Sequence, residues 1–246
     1  MTSNPMAQDR AYNGAVLSDI PMTISGTIHK TAILLLILVI TAGFTWSLAL
    51  MGFLDKATML MWVGIGVGFI AAIVTSFKPK YAMPLSILYA CCKGLAIGVI
   101  SAMYQAMYDG IVVQAVGATI LTLFAMLGLY RIGAIRATEK FRAVIFTATV
   151  GICVFYLINI IVSFLAPTIA MKFAPIWDSG LVGIGFSVFV IAIAALNFIL
   201  DFDFIEKGAA SFMPKYFEWY GGFTLLVTLI WLYLEMLRLL AKLRSR

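Results

Sequence analysis

Seven apolar segments, each about 20 residues long, occupy most of this chain of 246 residues. The hydrocarbon core of a bilayer is about 30 Å thick, and a helix needs roughly 20 apolar residues to cross it. Prolines and charged residues stand between the segments and indicate short loops. The sequence therefore predicts an all-α polytopic integral membrane protein with seven transmembrane helices. The predicted spans are residues 31–53, 57–77, 83–104, 111–130, 143–165, 180–200 and 219–240.

The composition excludes the main soluble classes of protein. Hydrophobic residues make up 63% of the chain and charged residues only 11%, whereas soluble domains have about 25% charged residues. A soluble enzyme or a disordered protein of this length needs more charge to keep its surface in water. The 17 Lys and Arg residues are scattered between apolar segments and form no stripe, so we expect no nucleic-acid partner. The expected partner is the lipid bilayer.

Histidine and cysteine usage argues against catalysis. The one histidine of the sequence, His29, lies before the first predicted span, so a two-histidine zinc site cannot form within the chain. The three cysteines, Cys91, Cys92 and Cys153, lie within apolar segments and are interpreted as small apolar side chains. We therefore expect no enzyme activity and no cofactor.

The predicted organisation is a polar N-terminal arm (residues 1–30), a transmembrane domain (31–240) and a basic tail (241–246). The arm has no apolar core of 7–15 residues, so we expect no cleaved signal peptide. Lysines and arginines lie mainly in the N-terminal arm and in the second, fourth and sixth loops. Because cytoplasmic loops carry an excess of these residues, the N-terminus is predicted to be cytoplasmic. The basic tail breaks this pattern, because seven spans put the C-terminus outside. The alternative is that residues 167–175 re-enter the membrane without crossing it.

Small residues recur at helical spacing in several predicted spans. Gly64 and Gly68 are four residues apart, as are Gly94 and Gly98, and residues 183–187 contain Gly183, Gly185 and Ser187. In a membrane such faces allow two helix backbones to approach closely. They predict a compact helix bundle and carry no information about function.

Three charged residues lie at predicted membrane depth, where an ionisable group costs about 2.5–3.5 kcal/mol. Lys93 is about ten residues into span three, roughly 15 Å deep. It is either one half of a structural ion pair, for which Glu235 is a candidate partner, or part of an ion pathway. Glu235 and Arg238 are three residues apart in span seven, so they share a helix face and can neutralise each other.

The densest acidic cluster lies at the predicted cytoplasmic end of span six and contains Asp201, Asp203 and Glu206; Glu218 follows at the start of span seven. Crowding of Asp201 and Asp203 at a low-dielectric rim would let the two carboxylates share a proton. Their oxygens could instead hold Ca²⁺. The structural alternative is a solvated loop that caps the helix end. The predicted ion-pathway or pH-sensing residues are Asp201, Asp203, Glu206, Glu218, Lys93, Glu235 and Arg238.

Several stretches together resemble the Bax inhibitor-1/YccA-like family, in particular its bacterial branch. They are residues 2–5 (TSNP), 22–28 (MTISGTI), 136–141 (RATEKF), 200–208 (LDFDFIEKG) and 218–240. The resemblance covers essentially the whole chain and implies a seven-helix fold in which the last helix is surrounded by the other six. It also implies residence in the bacterial inner (cytoplasmic) membrane.

The resemblance further implies a pH-sensitive calcium-leak or cation-channel activity, which some members of the family have. In those members two aspartates, one late in span six and one in span seven, share a proton and gate the pathway. Asp201 matches the first, whereas residues 225–228 (LLVT) hold no acid at the second, for which Asp203 or Glu218 could substitute. Lys93 stands in Cys92-Lys93-Gly94, where the family commonly has Glu before Gly, and Arg238 matches the arginine that closes span seven.

Two functions are therefore expected as alternatives. The first is a cation leak channel or transporter gated by carboxylates at the cytoplasmic end of span six, chiefly Asp201 and Asp203. The second is a regulatory protein, because the YccA-like branch resembles proteins that bind a membrane-anchored protease and slow its turnover of other membrane proteins. The polar arm and the basic loop at residues 131–142 are the surfaces available for such a partner.

Overall fold

A computed structural model of the protein describes residues 21–165 and 179–245, and this part of the chain contains seven long helices. All seven are long and apolar enough to cross a membrane, which confirms the predicted all-α polytopic fold. A short 3₁₀ turn, Pro79–Tyr81, leads into the third helix. The helices are α1 (Ile24–Leu50), α2 (Leu54–Phe77), α3 (Ala82–Met107), α4 (Ile111–Arg131), α5 (Glu139–Leu165), α6 (Leu181–Ala210) and α7 (Phe217–Arg244).

The largest differences from the predicted spans are at the beginning of α1 and at the end of α6. α1 begins at Ile24, seven residues early, because the extended Thr23 caps it and accepts a hydrogen bond from the Gly26 N–H. α6 continues ten residues past the predicted end at 200, to Ala210. At about 1.5 Å per residue it is some 45 Å long, so its polar end can extend beyond a core of about 30 Å. The arm up to residue 20 and the segment 167–175 lie outside the described residues.

The described helices pack into two compact units, and α6 and α7 each contribute to both. The first unit contains α1, α2, α3 and the short connection between α6 and α7, with its two flanking helix segments (residues 201–227). The second unit contains α4, α5, the part of α6 up to Leu200 and the part of α7 from Thr228. Among the seven helices α7 is the most buried, since 61% of its most apolar 18-residue stretch is buried. Such burial is expected of a helix that has other helices around it.

Close backbone contacts build the first unit, as the small residues predicted. A Cβ on Gly98 of α3 would collide with the Ala42 carbonyl and the Thr45 hydroxyl of α1. A Cβ on Gly64 of α2 would collide with the Cys92 carbonyl of α3. Glycine is thus required where α3 packs on both neighbours, because any side chain would separate the helices.

The second unit packs around an apolar cluster in α5 and α6. Its buried members are Ile145, Ile152, Val190, Ile193 and Leu200. Beside this cluster the Asn197 amide donates to the Thr149 hydroxyl at 3.1 Å and so links α6 to α5. The third group of small residues, at positions 183–187, does not pack closely along its whole length. A Cβ on Gly185 would meet no atom within 4 Å.

Candidate functional site

Asp201 lies inside α6 and is completely buried, with 0% of its surface exposed. The residues that follow it in the helix include two buried apolar side chains, Phe204 and Ile205. A solvated loop that caps a helix end, the structural alternative considered for this cluster, is therefore wrong: the helix continues past Asp201 for nine more residues. A carboxylate excluded from water this deep in a membrane helix is expensive, which makes Asp201 the leading functional candidate.

Asp203 lies on another side of α6 from Asp201. Residues two apart on a helix are separated by roughly 200° and do not face each other. The Asp203 carboxylate pairs instead with Lys207, one turn later, at 3.0 Å. The prediction that Asp201 and Asp203 share a proton is therefore wrong, because both belong to one continuous helix. Glu206 is exposed.

The same geometry weakens a calcium site at these residues. Ca²⁺ takes six to eight oxygen ligands, usually with several carboxylates. Within the described residues no group of three or more His, Cys, Asp or Glu side chains could hold a metal ion. Asp201 and Asp203 point to different sides of α6, so they do not form the core of a chelating site.

Glu218, in the first turn of α7, is also buried (3% exposed) and binds the beginning of α1. Its carboxylate accepts hydrogen bonds from the Thr23 N–H at 3.1 Å and from the Thr23 hydroxyl at 3.0 Å. A Cβ on Gly26 would overlap this carboxylate, so a larger residue at that position would displace the Glu218 side chain. A negative charge at a helix N-terminus is stabilised by unpaired N–H groups and by the helix dipole. Glu218 thus acts as a second cap of α1, supplied by α7.

Backbone contacts reinforce this connection between α1 and the turn that joins α6 to α7. The Met22 N–H donates to the Met213 carbonyl at 2.7 Å, and Pro21 forms an isolated antiparallel bridge with Pro214. The Lys30 ammonium lies 5.2 Å from the centre of the Trp219 ring. The sequence placed residues 21–30 in a polar arm, whereas the structure fastens them to the α6–α7 turn.

Glu235 and Arg238 form the ion pair that their spacing predicted. Arg238 Nη1 lies 2.7 Å and 2.9 Å from the two carboxylate oxygens of Glu235. Tyr156 of α5 joins them: its hydroxyl donates to Glu235 at 2.9 Å and accepts from Arg238 at 2.7 Å. Glu235 is 1% exposed and the Arg238 side chain 29%, so the carboxylate is the deeper partner. The triad neutralises a buried charge and joins α7 to α5.

Lys242 is a buried residue that the sequence assigned to a basic tail. Its ammonium donates to the Gly183 carbonyl at 2.8 Å and to the Ser187 hydroxyl at 3.0 Å, both on α6. Arg244 donates to Gln114 of α4 at 2.9 Å. The signal was present in the spacing, since Lys242 follows Arg238 by four residues and lies on the same helix face. These contacts hold the end of α7 against α6 and α4.

Lys93 is half-buried in α3 and lies beside Tyr89, with its ammonium 5.7 Å from the ring centre. Its aliphatic stem passes over α2, where a Cβ on Gly68 would lie 3.5 Å from Lys93 Cε. In the described part of the chain no carboxylate forms an ion pair with Lys93. The expected partner Glu235 is bound by Arg238 and Tyr156 instead.

These features define a polytopic all-α membrane protein with one aspartate buried in its sixth helix and a second buried carboxylate that caps its first. A family model described as Bax inhibitor 1 like matches residues 2–245, and the chain belongs to the Bax inhibitor 1-like family. No curated protein matches the chain, and no solved structure does.

Proposed function

We propose that this protein is a pH-sensitive cation leak channel or transporter, with calcium as the expected ion and Asp201 as the gating carboxylate. The observation that carries the proposal is the complete burial of Asp201 in a membrane-spanning helix. Family membership supports it, since Asp201 occupies the position of the span-six aspartate that gates conducting members. The proposal assigns transport rather than catalysis to the protein.

A single buried carboxylate is sufficient to make conduction depend on pH. When ionised, it attracts a cation that has lost part of its water shell, and the attraction is strong in a low-dielectric site. When protonated, it loses this attraction. Because residues 225–228 hold no acid, Asp201 acts without a second aspartate in span seven. With a cytoplasmic N-terminus in the bacterial inner membrane, Asp201 belongs to the cytoplasmic half of the pathway.

Flux into proteoliposomes tests this function. Purified protein is reconstituted in vesicles that contain a calcium-sensitive dye, and Ca²⁺ influx is compared at several pH values between about 6 and 8. The wild type should show a flux that changes with pH. Asp201→Asn should lose this pH dependence, because its side chain cannot ionise.

Asp203→Asn is the matched control, since it lies on the same helix two residues away and pairs with the exposed Lys207. It should keep the wild-type profile, because a surface ion pair contributes little. Absence of Ca²⁺ flux at every pH in this range would contradict the proposed function. Equal effects of Asp201→Asn and Asp203→Asn would contradict the role of Asp201.

A second candidate function is regulation of a membrane-anchored protease through the N-terminal arm. The observation that favours it is the attachment of Pro21 and Met22 to the α6–α7 turn, which fixes the point where residues 1–20 join the described chain. Deletion of residues 1–20 removes the arm and keeps the Thr23 cap of α1. The deletion should abolish co-purification with the protease and leave thermal stability unchanged. Unchanged co-purification would exclude the arm as the contact.

A further inference from the structure

A layer of closely packed residues from three helices lies between Asp201 and the end of the first unit at which α1 begins. A Cβ on Gly221 of α7 would lie 3.0 Å from Thr27 Cγ2 of α1 and 3.1 Å from Ile205 Cγ1 of α6. Thr27 is fully buried and Ile205 nearly so. We call these three residues, Thr27, Ile205 and Gly221, the packed layer.

Gly222, the next residue of α7, also lies close to α1. A Cβ on Gly222 would lie 3.1 Å from the Thr31 backbone nitrogen and 3.2 Å from its hydroxyl oxygen. At Gly221 the nearest atoms belong to the Thr27 and Ile205 side chains, and at Gly222 they include the Thr31 backbone. Two consecutive glycines therefore allow the close approach and add no side chain of their own to the contact.

The order of residues along the helices places this layer between Asp201 and the cap of α1. Ile205 follows Asp201 by four residues, one turn of α6 closer to its end, on the same face. On α7, Glu218 precedes Gly222 by four residues, and on α1, Thr23 precedes Thr27 by four. Passing inward along the unit, one meets the Glu218–Thr23 contact, then the packed layer, then Asp201.

We propose that Glu218 is a latch that holds this packed layer closed over Asp201. The inference rests on the proposed function, because a gate presupposes a pathway. The carboxylate fastens the first turn of α1 to α7, through residues 195 positions apart in the chain. When the contact breaks, the first turns of α1 move away from Gly221 and Gly222, and water reaches Asp201. Glu218 acts through the position of α1 and is not itself a residue of the pathway.

The structure favours a latch over a purely architectural contact for a physical reason. Elsewhere in this unit α1 is held to α3 by the backbone approach at Gly94 and Gly98 and by the Thr45–Leu95 hydrogen bond at 3.0 Å. Loss of the Glu218 contact therefore loosens only the first turns of α1, which the Met22–Met213 hydrogen bond still tethers to the α6–α7 turn, while the rest of the helix stays packed. A local opening of this kind needs far less free energy than global unfolding.

Substitution of Glu218 tests the latch by two independent measurements. Glu218→Ala should raise Ca²⁺ flux under conditions where the wild type is closed by roughly ten- to a hundredfold, as expected when hydrogen bonds to a charged group are lost. It should also accelerate hydrogen exchange at residues 24–28, measured by mass spectrometry. Glu218→Gln keeps one acceptor oxygen and should give a smaller change in both. Asp55→Ala is the control, because Asp55 is an exposed acid in the first turn of α2.

A reversible crosslink separates the latch from a general loss of stability. Met22→Cys with Met213→Cys places one thiol on each of two segments that share a backbone hydrogen bond, Met22 N to Met213 O at 2.7 Å, and formation of the disulfide is verified by mass spectrometry. Oxidation should return the flux and the exchange rate of the Glu218→Ala protein to near wild-type values, and a reductant should restore the open behaviour. If Glu218→Ala fails to fold, Glu218→Gln, which weakens the contact and keeps the Thr23 cap of α1, replaces it in the same scheme.

The outcomes distinguish the latch from the proposed function. Conduction by the wild type with unchanged flux and exchange in Glu218→Ala would overturn the latch and leave the channel intact. Accelerated exchange that the crosslink reverses, without Ca²⁺ flux in any variant, would overturn the channel and with it the gate. Accelerated exchange across all of α1, which the crosslink does not reverse, would show that Glu218 is only a stabilising contact and would also overturn the latch.

Discussion

Removal of Arg238 should lower the free energy of unfolding much more than removal of its partner Glu235. Arg238→Leu leaves the Glu235 carboxylate 1% exposed, with the Tyr156 hydroxyl as its remaining partner in the triad. An uncompensated buried charge of this kind costs about 3–5 kcal/mol of unfolding free energy. Glu235→Leu leaves the arginine, whose side chain is 29% exposed and long enough to extend towards the membrane surface. Its cost should be about 1–3 kcal/mol, from the lost charged hydrogen bonds.

The double variant Glu235→Leu/Arg238→Leu should be more stable than Arg238→Leu alone. Replacement of both charges by apolar side chains removes the desolvation penalty together with the attraction, which is often nearly neutral. The expected order of stability is therefore wild type and double variant, then Glu235→Leu, then Arg238→Leu. Tyr156→Phe should weaken the coupling between the charges, because the hydroxyl bonds to both.

Reversible unfolding in mixed micelles, followed by tryptophan fluorescence, gives the four free energies of this cycle. Independent sites add to within about 0.5 kcal/mol. A double variant whose loss equals the sum of the single losses would refute a coupled pair. Equal losses for the two single variants would refute the argument from exposure, since that argument rests on the depth of Glu235.

Three further changes have defined outcomes. Gly98→Leu should lower the apparent melting temperature in detergent or prevent folding, because its side chain would collide with Ala42 and Thr45. Gly185→Leu is the control and should be tolerated, because a Cβ at that position meets no atom within 4 Å. Lys93→Met keeps the apolar stem and removes a charge at predicted membrane depth without breaking an ion pair of the described residues. Unfolding in micelles should therefore show equal or higher stability than the wild type, and a clear loss of stability would reveal a charge partner. Burial raises the pKa of Tyr216, so the unfolded chain ionises first and stability falls as pH rises above about 10; Tyr216→Phe should reduce this fall in an alkaline melting series.

Local properties of the chain predicted the number of spans and the pairing within α7. A run of apolar residues long enough to cross a bilayer is visible in the sequence, and so is a three-residue spacing that puts Glu235 beside Arg238. Both depend only on the helix that contains them. The same local reasoning went wrong at Asp201, because a polar residue after an apolar run is read as the end of a helix, and α6 continues for another nine residues.

The sequence by itself thus determined the membrane class, the seven helices and the family, all of which follow from local hydropathy and from residue patterns along the chain. Only the tertiary structure decided that Asp201 and Lys242 are buried and that Glu218 caps α1. The contacts of Glu218 and Lys242 join residues 195 and 59 positions apart, and hydropathy and helical spacing describe one segment at a time. Whether a charge in a membrane protein meets water, lipid or a partner depends on the helix that lies opposite it.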